Sequence, residues 1–526
     1  MDFITFAYKN VSRNIKAYFA YFLSTCISSA LFFSFTMFLF HPNKGQFKSY
    51  IGKAILVTEI IAYLFLFFFV FYSVSVFLKS RYKEFGVLYI IGISKKQLYN
   101  MIFIENIIIN AVATLGGIII GLVFSKIYLV IIERLLRLSS LSFYFPVKAI
   151  VITFASFILL GVFVSLFTSF IIKENEVLKL LKGTKAPKTE PKTSIFLAVL
   201  GFSMLIIGYY SALTVSKQNL DKIILPVVVM VIFATYLLFS HLSVFFIRLL
   251  KKNRTFYLKN INLLLISNLF YKIKDNSRMF FLIAITSTVA FTFIGSSFAF
   301  WKNTLGDIEK RYPYDFTYTT FGQSAKLKEE INFLEHTLKE DNYDYKKVKI
   351  EDTYNFQIKD WSDTYKVYDK YFDKYGDDQF SLLLSKSHIY ETEKRAYGTI
   401  MFLSIFIGIL FFVTSGSFIY NKFYMDEEVD KQKYVQLNKI GLTYNEIKKV
   451  VTLEIGVLFL LPYIVAVIHS SLALTVLKNV FNINVTGAAF LVMGSFLLVQ
   501  ILFFLFIRER YLSEIRDSLI DFKFGG

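Results

Sequence analysis

Charged side chains inside long apolar segments could move protons, hold an ion or join helices, and Glu59, Glu105, Lys126 and Glu454 lie in such segments. Glu105 and Glu454 each fall about one helical turn inside the cytoplasmic end of a segment, while Glu59 and Lys126 lie toward the outer ends of theirs. A proton relay would need a chain of such groups, and the sequence contains none. We therefore expect snorkelling or an ion pair for Glu105 and Glu454, an ion pair for Glu59, and a snorkelling side chain for Lys126. The predicted partner of Glu59 is Lys53 or another outward-facing base, and the predicted partners of the other two are Lys95, Lys96, Lys448 or Lys449.

Glu105 and Glu454 follow the same short pattern. Each lies thirteen residues after an Ile-Gly pair, and an aliphatic residue and a Ser or Thr follow the glycine. Gly92 and Gly441 can adopt the left-handed C-cap of a short amphipathic helix, and Ser94 and Thr443 can cap the next helix. The shared spacing indicates a duplication. It predicts two elbows that each present a short surface helix to a soluble partner. The alternative is an interfacial helix that only anchors a loop.

Motifs for covalent or nucleotide chemistry are missing from the sequence. There is no Gly-x-x-x-x-Gly-Lys-(Ser/Thr) loop, no Gly-x-Ser-x-Gly elbow and no zinc motif among the five scattered histidines. The single cysteine, Cys26, excludes an intrachain disulfide. We predict that the chain is not an enzyme and binds no metal or cofactor itself.

The composition is that of a helical membrane protein. Of 526 residues, 55% are hydrophobic and 18% are charged, and the apolar residues form blocks long enough to cross a bilayer as helices. We predict an all-α polytopic membrane protein with about ten transmembrane helices. The spans are predicted at residues 17–40, 55–78, 101–132, 144–172, 193–213, 224–250, 279–300, 398–421, 450–477 and 485–507.

The net charge of +19 reflects basic loops on one side of the membrane and does not indicate that the protein binds nucleic acid. Lys and Arg collect in alternate loops, for example Lys79, Arg81 and Lys83 after span two, whereas the opposite short loops carry few. By the positive-inside rule, both termini are cytoplasmic, which agrees with ten spans.

One long hydrophilic segment, residues 301–395, falls between spans seven and eight, and parity places it outside. Its charge is slightly acidic. Residues 316–321 and 348–358 read as strands, and residues 324–339 as a helix capped by Ser324. We predict a small α/β extracellular domain here. The predicted divisions are 1–172 (first repeat, with an elbow at 82–98), 173–278 (spans five and six with basic loops), 279–300 (span seven), 301–395 (extracellular domain) and 396–526 (second repeat, with an elbow at 431–447, and cytoplasmic tail).

Basic and aromatic residues near the outer interface could bind a pyrophosphate-bearing lipid headgroup. The alternative is a set of isolated interfacial anchors. The residues concerned are Lys53, Lys148, Trp301, Lys302, Lys394 and Arg395.

The first elbow, from Lys83-Glu84-Phe85-Gly86 to Ile91-Gly92-Ile93-Ser94, resembles the cytoplasmic coupling segment of FtsX-like ABC transporter permeases. The second elbow is similar but has Lys433-Tyr434 in place of Glu-Phe. The resemblance implies contacts to an ATPase by Glu84, Phe85, Gly86, Leu88, Gly92 and Ser94, and by Tyr434, Leu437, Gly441 and Thr443. From their positions in the spans, we expect Glu105 and Glu454 to join each elbow to its span.

Residues 269–295 and the opening around Lys9-Asn10 and Arg13-Asn14 resemble bacitracin-resistance (Bce-type) permeases, although the extracellular segment is shorter than in that family. The resemblance implies a Gram-positive cell membrane and protection against peptide antibiotics that grip lipid cell-wall intermediates. It implies two copies of a cytoplasmic ABC ATPase that carry ATP and Mg, a membrane histidine kinase as signalling partner, and action by mechanotransmission. The alternatives are an FtsX-type regulator of extracellular wall hydrolases and an exporter of another amphiphile.

Overall fold

The computed structural model describes residues 9, 15–42, 49–136, 143–168, 193–320, 327–351, 353–376 and 381–524. The chain divides into two compact units. The first comprises Met1–Ile131, Ser140–Gly295 and Leu403–Gly526, and the second comprises Ile132–Ser139 and Ser296–Phe402.

Ten of the described helical segments are long and apolar enough to cross a membrane, which confirms the predicted number of spans. The helices in chain order are α1 (Ile15–Leu39), α2 (Ser49–Ser80), α3 (Tyr82–Ile90), α4 (Lys95–Leu136), α5 (Val147–Thr168), α6 (Ile195–Leu213), α7 (Leu220–Leu237), α8 (Ser243–Lys252), α9 (Arg254–Tyr257), α10 (Asn262–Asp275), α11 (Ser277–Arg311), α12 (Leu327–Glu340), α13 (Tyr365–Tyr375), α14 (Lys386–Lys439), α15 (Tyr444–Phe481) and α16 (Thr486–Phe524). Spans one to ten are α1, α2, α4, α5, α6, α7 with α8, α11, α14, α15 and α16. A π-helical turn, Leu238–Leu242, joins α7 to α8.

Span one lies in the interior of the first unit. Its aromatic residues Tyr21, Phe33 and Phe35 have no exposed surface. Gly117 and Gly121 of span three meet it so closely that a Cβ atom at either position would overlap Ser29 or Phe33. Small residues therefore set the distance between these two helices, as is common in membrane bundles.

The second unit contains a four-stranded antiparallel sheet, in the order β2-β3-β1-β4. The strands are β1 (Phe316–Thr320), β2 (Tyr345–Ile350), β3 (Thr353–Ile358) and β4 (Ser381–Ser385). One face packs against α12 and α13 around buried aromatic and aliphatic side chains. This agrees with a small α/β domain between spans seven and eight. The predicted cap, Ser324, lies outside the described residues.

The prediction of one strand at residues 348–358 was wrong, because this stretch belongs to a hairpin of β2 and β3. The chain reverses at Glu351, which has a positive φ of 51°. The alternation of polar and apolar residues continues through both strands, so the period alone did not reveal the turn.

Two helices extend well beyond the predicted spans. Helix α14 runs unbroken for 54 residues, and α16 continues beyond the predicted end of span ten to Phe524. In α14, the polar continuation carries i,i+4 ion pairs of Lys422 with Asp426 and of Glu427 with Lys431. It also lacks Gly and Pro as far as Lys439. Such a sequence favours helix outside the membrane as well as inside it.

Candidate functional site

The first elbow is a separate short helix between spans two and three. Helix α2 ends at Ser80, and the nine-residue helix α3 ends before Gly92, whose φ is +97°. The Ile93 N–H donates to the Leu88 carbonyl (3.1 Å) and the Gly92 N–H donates to the Tyr89 carbonyl (3.1 Å). This is a Schellman C-cap, as the glycine position predicts.

The second elbow has the same C-cap hydrogen bonds. Gly441 has a φ of +105°. The Leu442 N–H donates to the Leu437 carbonyl (3.1 Å), and the Gly441 N–H donates to the Asn438 carbonyl (3.1 Å). The acceptors and donors stand at the same positions relative to the glycine in both copies, which supports the predicted duplication.

Both elbows start the next span with the same kind of cap. In the first, the Gln97 N–H donates to Ser94 Oγ (3.3 Å) and the Ser94 N–H donates to Gln97 Oε1 (2.9 Å). In the second, Thr443 and Glu446 form the equivalent reciprocal pair. Each is a capping box, which fixes the direction in which the long helix leaves the elbow.

The two elbows differ at the residue that precedes the short helix. Arg81 separates α2 from α3, whereas the corresponding Asp430 lies inside the unbroken helix α14. The prediction of a separate short helix in the second copy was therefore wrong. The second elbow is instead the C-terminal end of a continuous 54-residue helix.

Arg81 ties the first elbow to span three. Its guanidinium contacts Glu105 at 2.6 Å and Glu84 at 2.8 Å, and only 3% of the side chain is exposed. It also lies over the rings of Tyr18 and Phe85, 4.9 and 5.2 Å from their centroids. Burial alone would lower the pKa of Arg81, but the charge of Glu105, its hydrogen bond and the charge of Glu84 together help to raise that pKa above its ordinary value.

In the second elbow the cation comes from a different helix. Lys272 of α10 contacts Asp430 at 2.6 Å and also pairs with Glu454. Burial alone would lower the pKa of Lys272, but Glu454 and Asp430 raise it above its ordinary value. Burial would raise the pKa of Asp430, and Lys272 holds it below its ordinary value. Asn268 donates to Glu454 (3.1 Å) and Tyr511 donates to Asp430. We call Lys272, Asp430 and Glu454 the charge triad.

The predicted lysine partners of the two glutamates were wrong. Lys95, Lys96, Lys448 and Lys449 are exposed at the starts of α4 and α15. Arg81 and Lys272 reach Glu105 and Glu454 from other elements instead. Burial explains the choice, because a buried carboxylate needs a cation that is itself withdrawn from water.

Glu59 and Lys126 have simpler surroundings than the two elbow glutamates. Glu59 is buried and accepts a hydrogen bond from Thr36 Oγ1 at 2.5 Å. The side chain of Lys53, its predicted partner, lies outside the described part of the structure. Lys126 is exposed on span three, where snorkelling remains the prediction.

The aromatic residues expected to face a partner are buried. Phe85 and Tyr434, which occupy matching positions in the two elbows, are 0% and 1% exposed. They therefore offer no ring surface to a partner. A matched pair of apolar residues directly before the glycines, Ile91 and Ile440, is exposed instead, at 73% and 81%. The sequence signal for them was their place at the end of each amphipathic segment, directly before the glycine.

The other predicted coupling residues lie around these two isoleucines. Glu84, Gly92, Ser94, Gly441 and Thr443 are exposed, Leu88 and Leu437 are half-buried, and Gly86 is buried. Val87 and Ile90, at 50% and 73% exposure, extend the apolar surface of the first elbow and were missed by the sequence reasoning. No ATPase contact of any of these residues has been tested, so their coupling role stays a prediction.

The predicted headgroup residues fall in both units. Lys148 belongs to the first unit and is exposed. In the second unit, Lys302 and Arg395 are exposed. Lys394 is only 7% exposed, donates to the Trp301 carbonyl at 2.6 Å and lies 4.0 Å from the Trp301 ring centroid. Lys394 and Trp301 therefore form an internal contact between α11 and α14.

Two known proteins are similar to this chain over nearly its whole length, and others are similar to part of it. The family described as "FtsX-like permease C-terminal" matches residues 56–176, which contain the first elbow and spans two to four. The "ABC transporter permease protein YxdM" of Bacillus subtilis (strain 168) is 32% identical, with 98% of this chain and 100% of the relative aligned. The "Uncharacterized ABC transporter permease YvcS" of the same strain is 25% identical over 97% of this chain and 99% of its own length.

A third relative is the "Bacitracin export permease protein BceB" of Halalkalibacterium halodurans. It is 25% identical over 62% of this chain and 52% of its own length. The full-length match to an ABC transporter permease, the family match across the first elbow and the ten apolar helices agree with one another. The chain is a multi-pass membrane protein that belongs to the FtsX-like family of ABC transporter permeases.

Proposed function

We propose that this permease works with a separate ABC ATPase to protect a Gram-positive cell from cell-wall-targeting antimicrobial peptides, and to sense them. The observation that carries the proposal is the pair of elbows, which share a C-cap, a capping box and an exposed isoleucine in one chain. The peptide substrate class is suggested by partial relatives named as bacitracin export permeases.

Each elbow is proposed to receive one ATPase subunit, so that two copies, which carry the ATP and Mg, serve one permease chain. Ile91 and Ile440 provide a matched apolar contact on the two elbows, and Glu84 adds an acidic group beside the first. An apolar side chain exposed outside the spans is favourable when a partner covers it. In this proposal both termini and both elbows lie in the cytoplasm.

Mechanotransmission is the proposed mode of action. Helix α14 begins directly after β4 and continues without interruption to the second elbow. At 1.5 Å per residue, its 54 residues correspond to a rod of about 80 Å. Closure of the ATPase pair would move the elbow, and an unbroken helix passes such a displacement along its axis. The work done outside would detach a peptide from its lipid cell-wall intermediate, and the altered state would be reported to a membrane histidine kinase.

Deletion of the gene in the source bacterium tests the biological role. We expect increased sensitivity to bacitracin or lantibiotics, which is restored by the intact gene. A defect in chain separation with unchanged sensitivity would instead favour a regulator of wall hydrolases. Transport of labelled peptide across a vesicle bilayer, with its lipid complex left intact, would favour an exporter.

The stoichiometry of the complex tests the elbows directly. In Ile91→Glu and in Ile440→Glu, we expect one ATPase copy per permease to be lost, and in the double variant both. Native mass spectrometry of the purified complex measures the ratio. The control is Ile350→Glu, which adds the same charge at a 49% exposed isoleucine of β2. Retention of two ATPase copies in the double variant would contradict the elbow assignment.

A further inference from the structure

The segment that joins span six to helix α10 concentrates positive charge. Residues 248–263, which we call the basic turn, include α9 and the ends of α8 and α10. No Asp or Glu occurs between Asp221 and Asp275 in the sequence. The basic residues of the turn are Arg248, Lys251, Lys252, Arg254 and Lys259.

Hydrogen bonds fold the basic turn into a defined shape. Asn253 Oδ1 accepts from the Phe256 N–H (3.3 Å), and Asn262 Nδ2 donates to the Phe256 carbonyl (3.0 Å). The Tyr257 and Ser267 hydroxyls bond at 2.8 Å, which fastens the turn to α10. Asn260 has a positive φ of 48°. The surface of the turn is therefore built by its own backbone and side chains.

Large apolar side chains point away from this framework. Leu258 is 60% exposed, Phe256 45% and Leu263 44%, and Lys252, Arg254 and Lys259 are exposed beside them. Apolar residues among cations, without intervening acids, are typical of segments that lie at a membrane interface. Both ends of the turn also lead into membrane spans, since α8 completes span six and α10 directly precedes α11.

We propose that the basic turn binds the headgroups of anionic phospholipids, with Phe256 and Leu258 inserted at the acyl boundary. Charge complementarity selects this occupant, because an anionic leaflet attracts nearby Lys and Arg side chains. A protein partner would need an acidic surface shaped around the turn, whereas a lipid leaflet already lies where span six ends. The proposal is independent of the peptide substrate and of the ATPase.

Selective labelling provides the test. The only native cysteine, Cys26, is 3% exposed, so a Thr255→Cys substitution gives one reactive thiol in the turn. The full-length protein, labelled there with a fluorophore, is reconstituted in nanodiscs that contain phosphatidylcholine and phosphatidylglycerol. A nitroxide is attached to the headgroup of one lipid or the other, and quenching of the fluorophore is measured.

We expect phosphatidylglycerol to quench several-fold more than phosphatidylcholine, and high salt to remove the difference. The triple variant Lys252→Gln, Arg254→Gln, Lys259→Gln should bring the ratio of the two quenching values close to one. The matched control removes three exposed lysines at the other ends of spans five, six and nine by Lys217→Gln, Lys222→Gln and Lys478→Gln. This control should retain the preference.

Equal quenching by the two lipids in the otherwise unchanged protein would overturn the proposal, and so would an equal loss in the triple variant and its control. If added ATPase covered the fluorophore and neither lipid quenched it, the proposal would also be overturned, because the turn would then contact a protein.

Discussion

Replacement of Lys272 by methionine keeps the volume of the side chain and removes the only cation of the charge triad. The exposed fractions of the Lys272, Asp430 and Glu454 side chains are 13%, 7% and 3%, so little water can screen the carboxylates that remain. Removal of one partner from a buried ion pair typically costs about 3–5 kcal/mol. Because two carboxylates share this lysine, we expect the Lys272→Met variant to lose about 5 kcal/mol of unfolding free energy.

Reversible unfolding of the purified protein in mixed micelles, followed by far-ultraviolet circular dichroism during a titration with SDS, measures this loss. The triple variant Lys272→Met, Asp430→Asn, Glu454→Gln removes all three charges and should recover most of the stability, since a neutral cluster has no unpaired charge. The control Lys448→Met changes an exposed lysine near Glu454 and should stay within about 0.5 kcal/mol of the parent. A Lys272→Met variant as stable as the parent would refute the reasoning, and so would a triple variant no more stable than the single one.

Three further predictions follow from the same structure. Gly92→Ala should cost about 1 kcal/mol, because its φ of +97° strains any side chain although nothing lies within 4 Å, whereas Gly494→Ala, in open space within a helix, should be neutral or slightly stabilising in the same titration. Glu330→Ala should destabilise the protein by about 3 kcal/mol, because the buried carboxylate accepts hydrogen bonds from three hydroxyl groups, and the midpoint of thermal unfolding should fall accordingly. The stability added by the charge triad should be flat from about pH 5 to 9. It should fall in acid, because the folded pKa of Asp430 lies below 3.8, and in strong base, because that of Lys272 lies above 10.5; the pH dependence of unfolding, with the neutral triple variant as reference, measures both limits.

Local sequence signals predicted the spans and the turns of both elbows. A block of apolar residues long enough for a bilayer, or a glycine followed two residues later by Ser or Thr, acts through neighbouring backbone groups. Gly92 and Gly441 therefore adopt the predicted left-handed conformation. The end of α3 and the start of α4 could be read in the same way.

Contacts between distant segments could not be read from the sequence. Glu454 pairs with Lys272, which lies far away in the chain, and nothing in the spacing of either residue indicates the other. The burial of Phe85 and Tyr434 was missed for the same reason, because packing against other spans decides it. The hairpin at Glu351 was missed because its two strands continue one alternating pattern.

The buried glutamate of each duplicated elbow is paired with a cation in a different way. Arg81 and Asp430 occupy matching positions but carry opposite charge, while the glutamate they approach, Glu105 or Glu454, is the same in both copies. In the first elbow, the arginine forms an ion pair with the glutamate of the span that follows it. An aspartate there would repel it, so the second elbow requires a cation from elsewhere, and Lys272 of α10 supplies it. Helix α10 leads directly into span seven, which precedes the sheet domain in the chain, and α14 follows that domain. The second elbow is therefore connected to span seven through the charge triad and α10, and it is the end of the unbroken helix α14.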